Sequence, residues 1–392
     1  MPRRVKTGLD VLEQSWPRSL QGARVGLLVH PASVNGALEH ASDIFMRSGR
    51  FSVEALFGPQ HGIRGETQDN MIEWEGFRDK RTGLPVHSLY GSAREPHPET
   101  LAGIDALAVD LQDVGARYYT FIWTLALAMK ACEPLAKAVV VLDRPNPIGG
   151  HLTEGPVLRT EYRSFVGLHP LPVRHGMTIG EIASCFKQSS FPGLDLQVIR
   201  MRGWKREMWF DETKLPWVLP SPNMPTVDTA TVYPGMCLLE ATNISEGRGT
   251  TRPFEIFGAP FIDSHLLARR LGECGLPGVV FRPLTFLPTF QKYAGEVCEG
   301  AQIHVLDRKA YKPFLSAVCL IKVIRDLYPR HFAWKAPPYE YEDVLLPIDI
   351  LAGTDQVRKD LEQGTSLKAM ESWWNDELRD FQKIRHDVLC YR

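Results

Sequence analysis

Apolar and polar positions along the first third of the chain alternate between two periods. Residues 23–30 (ARVGLLVH) form a compact apolar run ended by Pro31, as expected of a strand buried on both faces. Residues 38–46 carry helical spacing, and residues 53–57 (VEALF) form a second short strand stopped by Gly58-Pro59. Residues 85–90 and 104–110 (IDALAVD) predict two more strands. A helix follows over about 120–137, and residues 138–143 (AVVVLD) close the series. Strands alternating with helices predict a parallel, doubly wound α/β sheet. Each predicted strand runs into polar or unusual residues: His30, Gln60 with His61, Tyr90, Asp110 with Asp113, and Asp143 with Arg144. Ligands of open α/β sheets bind just beyond the carboxyl ends of the strands. The pattern therefore puts candidate chemistry where the architecture calls for it.

The middle of the chain is richer in proline (RPNPIGG, LHPLPVRHG, LPWVLPSPNMPT) and reads as loops over a surface. Between these loops, residues 178–186 predict a helix and 196–201 a strand. A new alternation begins near Asp263: a helix (SHLLARRLGECG), a strand (VVFRPLTF), a second strand (EGAQIHVLD) and a helix over 312–327. The tail has apolar residues at helical spacing and predicts one or two closing helices. The expected organisation is a catalytic domain over residues 1–258 and a smaller α/β auxiliary domain over 259–392. No internal repeat is present.

Composition narrows the function class. With 45 Lys+Arg against 46 Asp+Glu, the formal net charge is −1, so no global basic field exists to hold nucleic acid. Seven cysteines are scattered with no C-x-x-C pair, which argues against a disulfide framework or structural zinc and fits a reducing compartment. The start, MPRRVKTGLDVLEQSWPRSL, has no apolar core of a signal peptide, and no run is long enough to span a membrane. A cytoplasmic protein without membrane attachment is expected. The first strand is followed by VHPASVNG and not by G-x-G-x-x-G, so a dinucleotide cofactor is not expected. Walker A, G-x-S-x-G and H-E-x-x-H patterns are absent. His169 and His175 flank two prolines in a loop, and neither a metal nor another cofactor is expected.

Four motifs concentrate functional groups. GPQHGIRGETQDN (residues 58–70) joins an amide, an imidazole, a guanidinium and a carboxylate: Gln60, His61, Arg64 and Glu66. Capping of neighbouring helices is the plainer use of such a loop. VDLQDVGARYYTF (109–121) presents Asp110 and Asp113 at a strand end, followed by Arg117; Asp113 is equally suited to capping the next helix. LDRPNPIGG (142–150) ends a strand in Asp143 and Arg144 and fixes Asn146 between prolines, although an Asp–Arg pair also simply shapes a loop. SPNMPT (221–226) and NISEGRGTTRPFE (243–255) contribute Asn223 and Glu246 with Arg248 and Arg252. A carboxylate beside arginines stays ionised, so Glu246 suits a base, a nucleophile or a hydroxyl acceptor better than an acid. A loop salt bridge is the alternative.

These motifs, with EGPVL and SFVGLHPLPVRHGMTIGE, stand in the order found in the former DUF1343 family, and the chain resembles it from about Gly8 to the tail. The family is now described as NamZ-type exo-β-N-acetylmuramidases, glycoside hydrolase family 171. The resemblance implies a Rossmann-like parallel sheet in the N-terminal domain and a smaller α/β C-terminal domain. It also implies release of N-acetylmuramic acid from the non-reducing end of peptidoglycan fragments, with a muropeptide or disaccharide as the substrate partner. The lactyl carboxylate of that sugar calls for cations, which casts Arg64, Arg117, Arg144 and Arg248 as binding groups beside His61, Asp143, Asn146 and Asn223. Glu246, Glu66, Gln60 and Asp110 are the catalytic candidates. One departure stands out: many family members read PEHG, and here Gln60 precedes His61. If that glutamate is the family's acid/base group, Gln60 leaves a proton donor to be found elsewhere, or leaves a sugar-binding module that has lost catalysis.

Overall fold

The computed structural model describes residues 4–17, 20–68 and 71–391, so Asp69 and Asn70 at the end of the GPQHG motif lie outside the described residues. The first strands are β1 (Arg24–Val29), β2 (Ser52–Gly58), β3 (Phe77–Arg78), β4 (Pro85–Ser88), β5 (Ala106–Asp110) and β6 (Ala138–Leu142). A two-stranded antiparallel pair, β7 (Glu154–Val157) and β8 (Pro172–Arg174), precedes β9 (Leu196–Ile199). Strands β3-β4-β2-β1-β5-β6-β9 form one sheet in that order, parallel except at the β3–β4 edge. Numbered among themselves, the parallel strands run 3-2-1-4-5-6, the doubly wound order with its switch point between β1 and β5.

Side chains alternate across a strand, and here both faces are covered. Val25, Leu27, Val29, Ala106, Ala108, Val140 and Leu142 enter one apolar cluster; Leu28, Leu107, Val109, Val139 and Val141 enter the other. That is why the strands read as unbroken apolar runs. Helices α1 (Gly8–Gln14) and α2 (Ala41–Arg47) cover the first face with Leu9, Leu12, Ile44 and Phe45. Helices α3 (Pro98–Ala102), α4 (Phe121–Cys132) and α5 (Ile179–Ser190) cover the second. Each such side chain, fully buried, contributes about 1.5–3 kcal/mol.

The second half contains α6 (Val227–Met236), β10 (Ile256–Ala259), α7 (Ser264–Glu273), β11 (Val279–Phe286), β12 (Cys298–Val305) and α8 (Pro313–Leu327). Its sheet is antiparallel, in the order β10-β12-β11, and β10 runs across position 258. Helices α9 (Pro347–Ala352), α10 (Gln356–Gln363) and the 22-residue α11 (Leu367–Val388) follow. The tail is one helix, which packs back on β7 and α5. One apolar cluster runs continuously from α4 and α5 through α6 to α8 and α11. Helix α6 had no sequence signature because it contains Pro234 and is buried from Thr229 to Met236; a helix buried all round has no polar stripe to read. Among the described residues, no helix is long and apolar enough to cross a membrane.

Helix α1 is locked directly onto the sheet edge. Thr7 and Asp10 form a reciprocal capping box, and the Gly8 amide donates to the Asp143 carbonyl at 2.7 Å. A Cβ on Gly8 would stand 2.3 Å from the Asp143 nitrogen and 2.5 Å from the Ile199 carbonyl oxygen. Both are backbone atoms and cannot rotate away. Gly8→Ala is expected to lower stability by about 1–3 kcal/mol or more, measured as a shift of the denaturant midpoint at constant slope.

Candidate active site

Beyond β2 the chain turns sharply, with φ of 69° at His61 and 80° at Gly62. His61 Nδ1 lies 2.7 Å from the Thr67 carbonyl oxygen, and the Trp74 indole donates to the Pro59 carbonyl at 3.1 Å. These contacts set Gln60 and His61 at the carboxyl end of the sheet, facing Tyr118, Tyr119 and Thr120 from the turn after β5. The segment before α6 adds Ser221 and Asn223, and the short helix after it adds Glu240. Arg248 and Phe254 come from the 243–255 loop, and Tyr339 and Glu340 from the strap before α9. Together they enclose a cavity of about 30 Å³.

One wall is a buried ionic cluster. Arg248 Nη2 donates to Glu240 Oε1 at 2.8 Å, and the Tyr339 hydroxyl donates to Glu240 Oε2 at 2.8 Å. Arg248 Nε lies 3.3 Å from Glu246 Oε1, whose other oxygen accepts from Lys292 Nζ at 2.9 Å. Lys292 also donates to the carbonyls of Leu239 and Ile244 at 2.7 and 3.0 Å. Burial pushes Glu240 toward its neutral form, but the charge and hydrogen bond of Arg248, helped by Tyr339, outweigh it and hold the carboxyl below its ordinary value. Arg248 Nη1 is buried with no hydrogen-bond partner.

The opposite wall is a hydrogen-bonded chain. Thr120 Oγ1 donates to Gln60 Oε1 at 2.7 Å, Gln60 Nε2 donates to the Tyr90 oxygen at 3.0 Å, and the Tyr90 hydroxyl donates to Glu340 Oε2 at 3.2 Å. Burial, and then the negative charge of Glu240, push the Glu340 carboxyl up to about 7. The two carboxyl groups of one cavity are thus shifted in opposite directions, Glu240 toward the anion and Glu340 toward the acid, which is the electrostatic pattern of acid–base work.

Of the groups expected from sequence, the structure brings Gln60, His61, Asn223 and Arg248 together at this cavity. Asn223 donates to the Gln68 carbonyl at 2.7 Å. Glu246, expected to be catalytic, does not line the cavity and instead supports Arg248 and Lys292 from behind.

The remaining expectations are corrected by packing. Asp110 accepts two bonds from Arg144, including Nη2 at 2.7 Å, while Arg144 also donates to the Val34 carbonyl at 2.9 Å. Both are buried, and the pair clips the ends of β5 and β6 together. Arg117 is fully buried and donates to the carbonyls of Pro156, Leu171 and Leu351 at 3.0, 2.9 and 2.6 Å; it is a backbone staple. Asp143 accepts from the Gly180 amide at 2.8 Å and the Thr178 hydroxyl at 2.9 Å at the start of α5, and burial pushes it up to about 6. Asn146 bridges the Met177 carbonyl at 2.9 Å and the Ile148 amide at 3.1 Å. Arg64 is on the surface with Asp79 at 3.1 Å, and Glu66 is exposed outside the cavity.

Glu240 and Glu340 line the cavity without a motif to announce them, and Tyr90, outside its lining, reaches it through Gln60 and Glu340. Glu240 stands in the apolar run GMCLLEAT, and a lone carboxylate in such a run must find a buried partner; that was its one readable signal. Glu340 sits in YEYED, which looks like any solvated acidic loop. Among the described residues, no group of three or more His, Cys, Asp or Glu is placed to hold a metal ion.

Comparison with known proteins gives consistent matches. Residues 25–228 match the model of the N-terminal part of exo-β-N-acetylmuramidase NamZ, and residues 231–391 match its C-terminal part. The chain is 46% identical over 388 residues to the peptidoglycan β-N-acetylmuramidase NamZ of Bacillus subtilis strain 168, covering 99% of this chain and 92% of the relative. A crystal structure of a DUF1343 family protein from Bacteroides fragilis superposes with a TM-score of 0.89 at 34% identity, covering all of both chains. A second DUF1343 protein from the same organism gives 0.78 at 29% identity, covering all of this chain and 99% of the other.

The packing of Arg117 separates a binding role from a structural one. Arg117→Leu removes the side-chain donor from three buried carbonyls, of which that of Leu171 keeps another, the Leu158 amide at 3.1 Å; each carbonyl left bare costs about 1–3 kcal/mol. A clear drop in melting temperature is expected, with KM of the remaining folded enzyme unchanged; a raised KM in a protein of normal stability would place Arg117 at the substrate after all.

Proposed function

The chain belongs to the exo-β-N-acetylmuramidase NamZ family, and from that membership we infer a glycoside hydrolase that releases N-acetylmuramic acid from the non-reducing end of peptidoglycan fragments. Its B. subtilis relative is a peptidoglycan β-N-acetylmuramidase. The observation that carries the reading onto this chain is one cavity lined by both Glu240 and Glu340, in surroundings that shift their carboxyls in opposite directions. Hydrolysis of a glycoside needs a carboxylic acid for the departing oxygen and an anion for the positive charge that grows at the anomeric carbon.

Arg248 is the cation we assign to the sugar. It is the one arginine of the expected clamp that reaches the cavity, and its buried Nη1 has a proton to donate. A lactyl carboxylate satisfies that donor, whereas N-acetylglucosamine has no such group to offer. Tyr119, Tyr233 and Phe254 supply apolar ring surface around it, and Asn223 and His61 supply polar edges. Ligand cavities typically measure about 300–1,000 Å³, so this one, at about 30 Å³, admits a pyranose only as its walls part. The strap carrying Tyr339 is the wall contributed by the second half, turned on reciprocal backbone hydrogen bonds between Tyr339 and Glu342. Fragments already taken into the cell for cell-wall recycling are the substrate source that suits this reading.

A pair of chromogenic β-glycosides, one of N-acetylmuramic acid and one of N-acetylglucosamine, tests the assignment. The first is expected to be cleaved and the second at least about 100-fold less efficiently. In Arg248→Met that preference is expected to collapse. Cleavage of neither compound by the unmodified protein would leave only a sugar-binding module; equal cleavage of both would remove Arg248 from its role.

A further inference from the structure

The family reading above leaves open which group protonates the departing oxygen, because position 60 is an amide with no transferable proton. We propose that Glu340 is that proton donor, and that Gln60 and Tyr90 are positioning residues that decide which of its oxygens carries the proton. The inference rests on the muramidase reading and deepens it.

The hydrogen bonds of this wall run in one direction. Thr120 donates to the amide oxygen of Gln60, so the amide nitrogen is the end that meets Tyr90. An amide nitrogen only donates, and it occupies the Tyr90 oxygen as an acceptor. The Tyr90 hydroxyl then donates onward to Glu340 Oε2, with the Tyr341 side chain as a second hydrogen-bonding neighbour. With Oε2 already accepting, an acid proton on Glu340 belongs on Oε1, the oxygen left to the cavity. A carboxylate in place of Gln60 would accept from Tyr90 and compete for the same proton.

The backbone adds an independent sign. Glu340 and Tyr341 are successive non-glycine residues in the left-handed region, with φ of 45° and 67°. Such conformations are unfavourable and gather at functional sites. Arg94, lying 3.2 Å above the Tyr341 ring, helps hold the strap in place. The charged and titratable groups around Glu340 are Glu240, Arg248, Arg94, Tyr90 and Tyr339, with Tyr341 hydrogen-bonded to Tyr90. Burial and Glu240 favour its protonated form; Tyr90, Arg248 and Arg94 oppose it.

In the reaction, the bond between C1 and the bridging oxygen breaks with its electron pair going to that oxygen. The oxygen takes the Glu340 proton and leaves as the alcohol of the next sugar. Glu240, anionic beside Arg248, faces the positive charge at C1. A water oxygen then bonds to C1 and returns one proton to Glu340, restoring the acid.

The test compares two N-acetylmuramic acid β-glycosides: the natural disaccharide with N-acetylglucosamine, and one with a 2,4-dinitrophenyl leaving group that departs without protonation. Glu340→Gln is expected to lose about 10²–10⁴-fold in kcat/KM on the disaccharide and less than tenfold on the dinitrophenyl compound. The alkaline limb of the pH profile, near 7 in the unmodified enzyme, is expected to vanish. Tyr90→Phe removes a donor to the carboxylate, so its limb is expected at higher pH with the low-pH plateau retained within tenfold. Equal losses on both substrates, or none on the disaccharide, would overturn Glu340 as donor, and so would a limb unmoved in Tyr90→Phe. If the unmodified enzyme cleaves neither glycoside, the muramidase reading itself fails and takes the proposal with it.

Discussion

A guanidinium buried between two carboxylates organises the site. Arg248 touches Glu240 and Glu246, and Lys292 completes the cluster against Glu246. Taking these charges out of water is expensive, and removing any one would leave its partner buried and uncompensated. The cluster therefore fixes four segments at once: the helical turn carrying Glu240, the 243–255 loop, the turn at Lys292, and the strap that supplies the Tyr339 hydroxyl. It also leaves one donor of Arg248 unspent. A group held by two carboxylates that keeps a donor open is well placed to recognise an anion without reorganising.

The rest of the sheet edge is held by the same kind of contact in a purely structural role. Arg144 on Asp110, Arg117 on three carbonyls, and Asp143 on the first turn of α5 are all buried polar groups hydrogen-bonded within the fold. They stand at strand ends because strand ends are where backbone groups run out of ladder partners. Their side chains build the platform on which the cavity rests. Residues of this kind resemble catalytic groups in a sequence, since both are polar residues emerging from apolar runs.

That ambiguity explains what was legible. The doubly wound sheet was readable because burial on both faces leaves apolar runs such as ALAVD and AVVVL, punctuated by turn residues. The strand-end rule pointed to Gln60 and His61, and the loop motifs SPNMPT and NISEGRGTTRPFE to Asn223 and Arg248; all four line the cavity. For Asp110, Arg117, Asp143 and Arg144, sequence shows that a polar group is present and not the buried partners that satisfy it. Glu240 and Glu340 lie in the second half, 180 and 280 residues beyond Gln60 in the numbering of the chain. No local pattern links residues so far apart; only the packing of α6, α8 and the strap onto the first sheet does so.

The narrowness of the cavity has a further consequence. Because its walls bury both carboxyl groups, the fields that separate Glu240 from Glu340 exist before any sugar arrives. The chemistry is preset during folding, and the resting protein carries it as local instability: a proton held on a buried acid, a left-handed strap and an arginine with an unfilled donor. Such a site works against the fold that supports it. Selection for greater thermal stability alone would therefore erode it first, replacing these groups with apolar residues that pack more comfortably and catalyse nothing.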